Sequence, residues 1–183
     1  RGVGRGVFSN EAGLGSAPIA HASSSETDPV KQGLYGVFEV FADTIVICTL
    51  TALVVLSSNI VPWGNADMAG ADTTILAFGT VLGPKVSSIF IAIAILFFAF
   101  STILSWSLYG QRCFAYLTKG RGVIVYQIAF IATVVIGATL KLSLVWNIAD
   151  TMNGFMAVPN LIALLALSGT VVKLTKEHFN GDR

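Results

Sequence analysis

The sequence predicts an all-α integral membrane protein. Of its 183 residues, 54% are hydrophobic and 11% are charged, and the mean hydropathy is +0.76. Soluble domains carry about 25% charged residues, so a water-soluble fold is not expected. Four long stretches with almost no charge, separated by charged segments, supply the apolar helices that a membrane protein needs.

These stretches define four predicted transmembrane helices. A bilayer core of about 30 Å is crossed by about 20 apolar residues in helical conformation. The first span carries Glu39 and Asp43 near its start, where a helix amino end favours negative charge, and the fourth carries Asp150 alone. We place the spans at residues 33–61, 86–111, 121–140 and 144–172.

The segments outside the spans set the predicted orientation. Residues 1–32 are expected to form a loop with a short helix, residues 173–183 a tail, and residues 62–85 a loop whose apolar piece Ile75–Leu82 forms a cap helix. Four crossings put both ends on one side, which carries nine Lys and Arg residues against Lys85 and Lys141 on the other. By the positive-inside rule, that side is cytoplasmic and residues 62–85 are extracellular.

Polar side chains on the second span form stripes on one helical face. Their spacing of three and four residues brings these side chains onto neighbouring positions of a helix. In one interpretation the hydroxyls bond back to their own helix and hold helices together. In the other, Ser101 and Thr102 ligate a small hard cation and Trp106 forms a wall of a substrate pocket. The residues are Ser101, Thr102, Ser105, Trp106 and Tyr109.

The remaining polar residues limit the possible functions. Asp150 must face protein or water, which favours a role in a gate. His21 is expected as a loop or interfacial histidine, and Cys48 and Cys113 are expected as small buried apolar residues without a disulfide or a metal. Because no acid-base cluster lies in a span, we expect no enzyme, and the net charge of +1 gives no reason to expect nucleic acid.

The opening run carries a family resemblance. Residues 4–22, GRGVFSNEAGLGSAPIAHA, resemble the signature stretch of the alanine or glycine:cation symporter family, also called sodium:alanine symporters. Further matching segments follow in the same order, so the resemblance covers essentially the whole chain. They are residues 32–33, 38–44, 48–52 and 98–110.

The resemblance implies a function and a fold. It implies import of alanine or glycine with sodium across the plasma membrane by a LeuT-type inverted-repeat transporter of the APC superfamily, with substrate and ion at the midplane. The chain would be its carboxyl-terminal part, core helices 7–10, and would need the missing amino-terminal half as a partner. On the eighth core helix, Ser101 and Thr102 match sodium ligands, and Thr102 and Trp106 match positions that face the substrate. The indole would then exclude larger amino acids.

The opening run itself is expected to act in gating rather than in substrate binding. Arg5 and Glu11 are predicted to pair, either as an inner gate or as a surface contact, with Asp150 as a further gating residue. Asn10 and Glu11 resemble residues at a helix start. Two other functions remain open. One is a proton-coupled permease of the same fold with Asp150 as the proton carrier, and the other is a structural or channel module without coupled transport.

Overall fold

A computed structural model describes residues 2–60 and 70–181, and every regular element in these ranges is helical. Pro62, Trp63, Gly64 and Asp67 of the predicted extracellular loop lie outside the described residues. The helices are α1 (Gly2–Asn10), α2 (Ala17–His21), α3 (Pro29–Val40), a π-helical segment (Phe41–Ile47), α4 (Cys48–Ser57), α5 (Ala71–Leu82), α6 (Pro84–Thr118), α7 (Val123–Thr139) and α8 (Leu142–Asn180).

Three of the described helical stretches are long and apolar enough to cross a membrane. They are the continuous run Pro29–Ser57, α6 and α8, with 29, 35 and 39 residues. At about 1.5 Å per residue each exceeds the 30 Å of a bilayer core. The prediction of an all-α, multi-pass membrane protein is therefore confirmed. α7 falls on the predicted span 121–140 but has only 17 residues, so a fourth crossing stays a prediction.

The described helices extend beyond the predicted spans where local capping allows it. α3 begins at Pro29 rather than at residue 33, because the Asp28 carboxylate accepts hydrogen bonds from the amides of Val30 at 3.0 Å and Lys31 at 3.4 Å. α8 continues through most of the predicted tail to Asn180. Hydropathy marks where a helix is apolar, not where it ends.

The π-helical segment interrupts the first long helix at the point where its polar residues lie. A spacing of four residues would put Glu39 and Asp43 one turn apart on an α-helix, but the π-helical segment begins at Phe41, between them. In this segment the Thr44 hydroxyl donates to the Asp43 carboxylate at 3.4 Å. Short π-helical segments occur frequently at functional sites.

The described residues form two compact units, one of which is made of two separate segments of the chain. One contains residues 41–105 and the other contains residues up to Val40 and from Trp106 onward. In the first of these, α5 covers and extends the apolar piece predicted as a cap helix. The Ser87 hydroxyl on α6 is fully buried and donates to the Ile75 carbonyl of α5, which fastens the short helix.

In the second unit, the start of α3 is fastened to the end of α8. Asp28 Oδ2 lies 2.8 Å from Nδ1 of His178, in addition to capping α3. Nearby, the Lys31 ammonium forms a 2.7 Å ion pair with Glu26 and, by this hydrogen bond, lowers the pKa of the Glu26 carboxyl. A lowered pKa means that the contact stabilises this corner above the ordinary pKa of Glu and is lost as pH falls through the lowered value.

Candidate functional site

The opening run is a short helix, a tight turn and a second short helix. α1 ends at Asn10, whose side-chain oxygen accepts the Ala12 amide at 2.9 Å, and Glu11 adopts a left-handed backbone conformation with φ 56°. The expectation that Asn10 and Glu11 start a helix is therefore wrong, since they end one. Asn and left-handed residues are common where a helix stops, and the sequence alone did not separate the two ends.

The turn packs tightly against α8. Gly15 has φ 81°, and a Cβ atom at this position would lie 3.0 Å from the side-chain oxygen of Asn160. Its neighbours Leu14 and Ser16 are buried, with 3% and 1% of their surface exposed. Glycine is favoured here for two reasons: the backbone is left-handed, and a Cβ atom would press on the Asn160 side chain.

Arg5 pairs with Asp150 rather than with Glu11. Its Nη1 donates to Oδ1 of Asp150 at 3.0 Å, and its guanidinium carbon lies 3.6 Å from the centroid of the Trp146 ring. The predicted pair of Arg5 with Glu11 is thus wrong. Glu11 instead contributes its backbone to the turn, where its carbonyl accepts the Leu14 amide at 3.1 Å.

This ion pair also contradicts the predicted location of the opening run. Residues 1–32 were placed in a cytoplasmic loop, whereas Asp150 belongs to the predicted span 144–172. At about 1.5 Å per residue, Asp150 lies about 33 Å from residue 172, the predicted cytoplasmic end of that span. If this span crosses the bilayer, Arg5 and the helix that carries it lie beside it within the membrane layer.

Trp106 lies in an aromatic cluster that sequence reasoning did not find. Phe8 of α1 stacks on Trp106 with ring centroids 6.3 Å apart and meets Trp146 of α8 edge-on at 5.5 Å. Tyr109, which is buried, contacts Trp106 at 5.9 Å. The only signal for Trp146 in the sequence was its spacing of four residues from Asp150, which places both on one helical face.

Ser101 and Thr102 are exposed on α6 and both bond to their own helix. Their hydroxyls donate to the Phe98 carbonyl at 3.0 and 2.8 Å. The first interpretation of the hydroxyl stripe predicts this bond. Because each hydroxyl donates its hydrogen in this bond, its oxygen lone pairs can still accept. The second interpretation requires such lone pairs for ligation of a cation. The residues present therefore fit sodium, a hard cation with a preference for oxygen.

His21 has partners that the sequence did not indicate. Its Nδ1 lies 2.6 Å from the Gln32 amide nitrogen and its Nε2 lies 3.3 Å from Oε2 of Glu39, so the ring bridges two turns of α3. The same side chains line a cavity of about 770 Å³ that also reaches Glu11 and Asn160. His21 is thus a packing residue between α2 and α3 rather than a solitary loop histidine.

Apolar helices that carry a charge pair and a stripe of hydroxyls are typical of membrane transport proteins. A family model described as the Sodium:alanine symporter family matches residues 1–183. The chain belongs to this family, which confirms the resemblance seen in residues 4–22 and identifies a family of transporters rather than of enzymes.

Curated relatives agree with this assignment. The chain is 49% identical over 176 residues to the sodium/alanine symporter AgcS of Methanococcus maripaludis, covering 96% of this chain and 38% of the relative. It is 48% identical over 178 residues to an uncharacterized transporter of Haemophilus influenzae, covering 97% and 39%. Identity to the probable sodium/glutamine symporter GlnT of Bacillus subtilis is 40% over 179 residues, covering 97% and 37%.

The chain therefore spans less than two fifths of the length of these relatives. No solved structure matches it significantly.

Proposed function

We propose that this chain is the carboxyl-terminal part of a symporter that uses sodium to import a small neutral amino acid, alanine or glycine, across the plasma membrane. The family and the named relatives support this proposal. In this proposal the protein has the LeuT-type inverted-repeat fold, its four spans are core helices 7–10, and residues 173–183 are cytoplasmic. The missing amino-terminal half completes the site.

The observation that carries the proposal is the arrangement of α6. Ser101 and Thr102 keep their oxygen lone pairs available while their hydrogens are bonded to Phe98, which suits ligation of sodium. One turn further along the same helix, Trp106 offers an aromatic surface to a substrate, and Thr102 can contact both ion and substrate. A cation site beside a substrate site is the arrangement that coupled transport needs.

Gating is assigned to Arg5, Asp150 and Glu11. Arg5 and Asp150 form the ion pair, and Glu11 acts through the turn that follows α1. The proton-coupled alternative would instead use Asp150 as the proton carrier, so the two functions differ in the role they give to this carboxylate.

The test is uptake of labelled alanine by the complete transporter in proteoliposomes. We expect accumulation with an inward sodium gradient and none with an inward proton gradient alone. Accumulation driven by the proton gradient without sodium would favour the permease instead. Equilibration without accumulation under either gradient would favour a channel.

Trp106→Ala is expected to widen the substrate range. Removal of the indole leaves room for larger side chains, so the ratio of leucine to alanine uptake should rise about tenfold or more. Trp106→Phe, which keeps a ring, is the matched control and should give a smaller rise. If Trp106→Ala admits no amino acid larger than the wild type does, the indole does not set the size limit.

A further inference from the structure

We propose that Trp146 is the positioning residue of the Arg5–Asp150 gate. The face of its indole holds the Arg5 guanidinium within reach of the Asp150 carboxylate, and the same ring packs against Phe8 of the helix that carries Arg5. This inference rests on the gate in the proposed function and adds a residue to it.

The four side chains come from two helices in matched pairs. Arg5 and Phe8 are three residues apart on α1, and Trp146 and Asp150 are four residues apart on α8. Both spacings put the two members of a pair on one helical face. The two faces therefore meet as a unit, with Trp146 in contact with both members of the α1 pair.

The Arg5 guanidinium makes two contacts at once. Its carbon lies 3.6 Å from the Trp146 ring centroid, well inside the distance of about 6 Å at which a cation and a π face attract. Its Nη1 reaches Asp150 Oδ1 at 3.0 Å. A planar guanidinium can lie on a ring and still donate from its edge, whereas the ammonium of lysine cannot do both in this geometry.

The solvent exposure of the Arg5 and Asp150 side chains explains why the Trp146 indole is needed. The side chains of Arg5 and Asp150 are 39% and 50% exposed in this chain. An ion pair between exposed groups adds little stability, because fixing a long arginine side chain costs conformational entropy. Contact with Trp146 fixes that side chain before the pair forms. The same indole packs against Phe8 with centroids 5.5 Å apart, so it positions α1 as well as the guanidinium.

A double-mutant cycle on the complete transporter tests this. Arg5→Gln and Trp146→Leu should each lower the maximal rate of alanine uptake by a similar factor, on the order of tenfold. The KM for alanine should change by less than about twofold. The double variant should be no worse than either single variant. Trp146→Phe should restore most of the rate, and Arg5→Lys should resemble Arg5→Gln.

Hydrogen exchange gives a readout that does not depend on transport. Trp146→Leu and Arg5→Gln should both speed exchange of the amides of residues 2–10, and Trp146→Phe should not. The matched control is His178→Gln, which removes a different contact of α8, and its effect on uptake rate should multiply with that of Arg5→Gln.

The outcomes separate the two proposals. If Arg5→Gln changes uptake but Trp146→Leu does not, or if their effects multiply, the role of Trp146 is wrong while the gate stands. If Trp146→Phe behaves like Trp146→Leu in both measurements, the aromatic face is not what matters and the inference is overturned. If Arg5→Gln changes neither uptake nor exchange, the gate itself is wrong, and the inference falls with it.

Discussion

Thr102→Ala in the complete transporter should raise the sodium concentration that half-saturates alanine uptake by about tenfold or more, equivalent to about 1.4 kcal/mol of lost ion binding. The reason is the loss of one oxygen from the cation shell. The Thr102 hydroxyl donates to the Phe98 carbonyl at 2.8 Å, so its lone pairs are the part of the side chain that a cation can use. The measurement is uptake as a function of sodium at fixed alanine concentration.

Three further variants make this result specific. Thr102→Ser keeps the oxygen and should remain close to the wild type, whereas Thr102→Val keeps the shape and should resemble the alanine variant. Ser101→Ala should shift sodium dependence in the same direction. If Thr102→Ala and Thr102→Val leave sodium dependence unchanged, the hydroxyl serves only to bond its own helix and the ion site lies elsewhere.

Gly110→Ala should destabilise the hairpin of α6 and α7 by about 1–3 kcal/mol or more through overpacking. A Cβ atom at Gly110 would collide with the Tyr126 hydroxyl and with the ring carbon that bears it. The ring cannot easily withdraw, because it packs between Phe114 and Phe130 with centroid distances of 5.6 and 6.0 Å. The melting temperature in detergent should fall.

α7 supplies the control for this substitution. Apart from the backbone of its own helix, no atom of the described residues would lie within 4 Å of a Cβ atom at Gly137. Gly137→Ala should therefore be neutral or stabilising by about 0.5–1 kcal/mol from helix propensity. Adding Tyr126→Ala to Gly110→Ala should recover part of the loss. A Gly110→Ala protein as stable as the wild type would show that the two helices separate freely at this point.

The membrane character of the fold was predictable because it depends on composition. A stretch such as residues 86–111 has no charge along its whole length, and an apolar segment of that length is stable chiefly as a helix in lipid. Helix ends were less predictable. α8 continues past residue 172 to Asn180 because its polar last turns remain good helix, which a hydropathy profile does not measure.

The contacts of the opening run were not predictable from local sequence. Arg5 and Asp150 are 145 residues apart, and no sequence pattern around either residue indicates that the two form a pair. Glu11 is the acidic residue nearest to Arg5 along the chain and therefore the natural partner, but it lies in the turn that follows α1, where its backbone is left-handed. The candidate residues of α6 were found because they lie on one helix, where spacing alone defines a face.

The length of α7 has a consequence for how this protein fits its bilayer. Seventeen residues make about 25 Å of helix, about 5 Å less than a typical hydrocarbon core. In the proposed four-span fold, this hydrophobic mismatch would be met by thinning of the lipid and by Arg121 and Lys141, which flank the helix and can extend toward the head groups. Uptake should therefore be faster in vesicles of shorter-chain lipids, and measurements of sodium dependence should be compared only at one acyl-chain length.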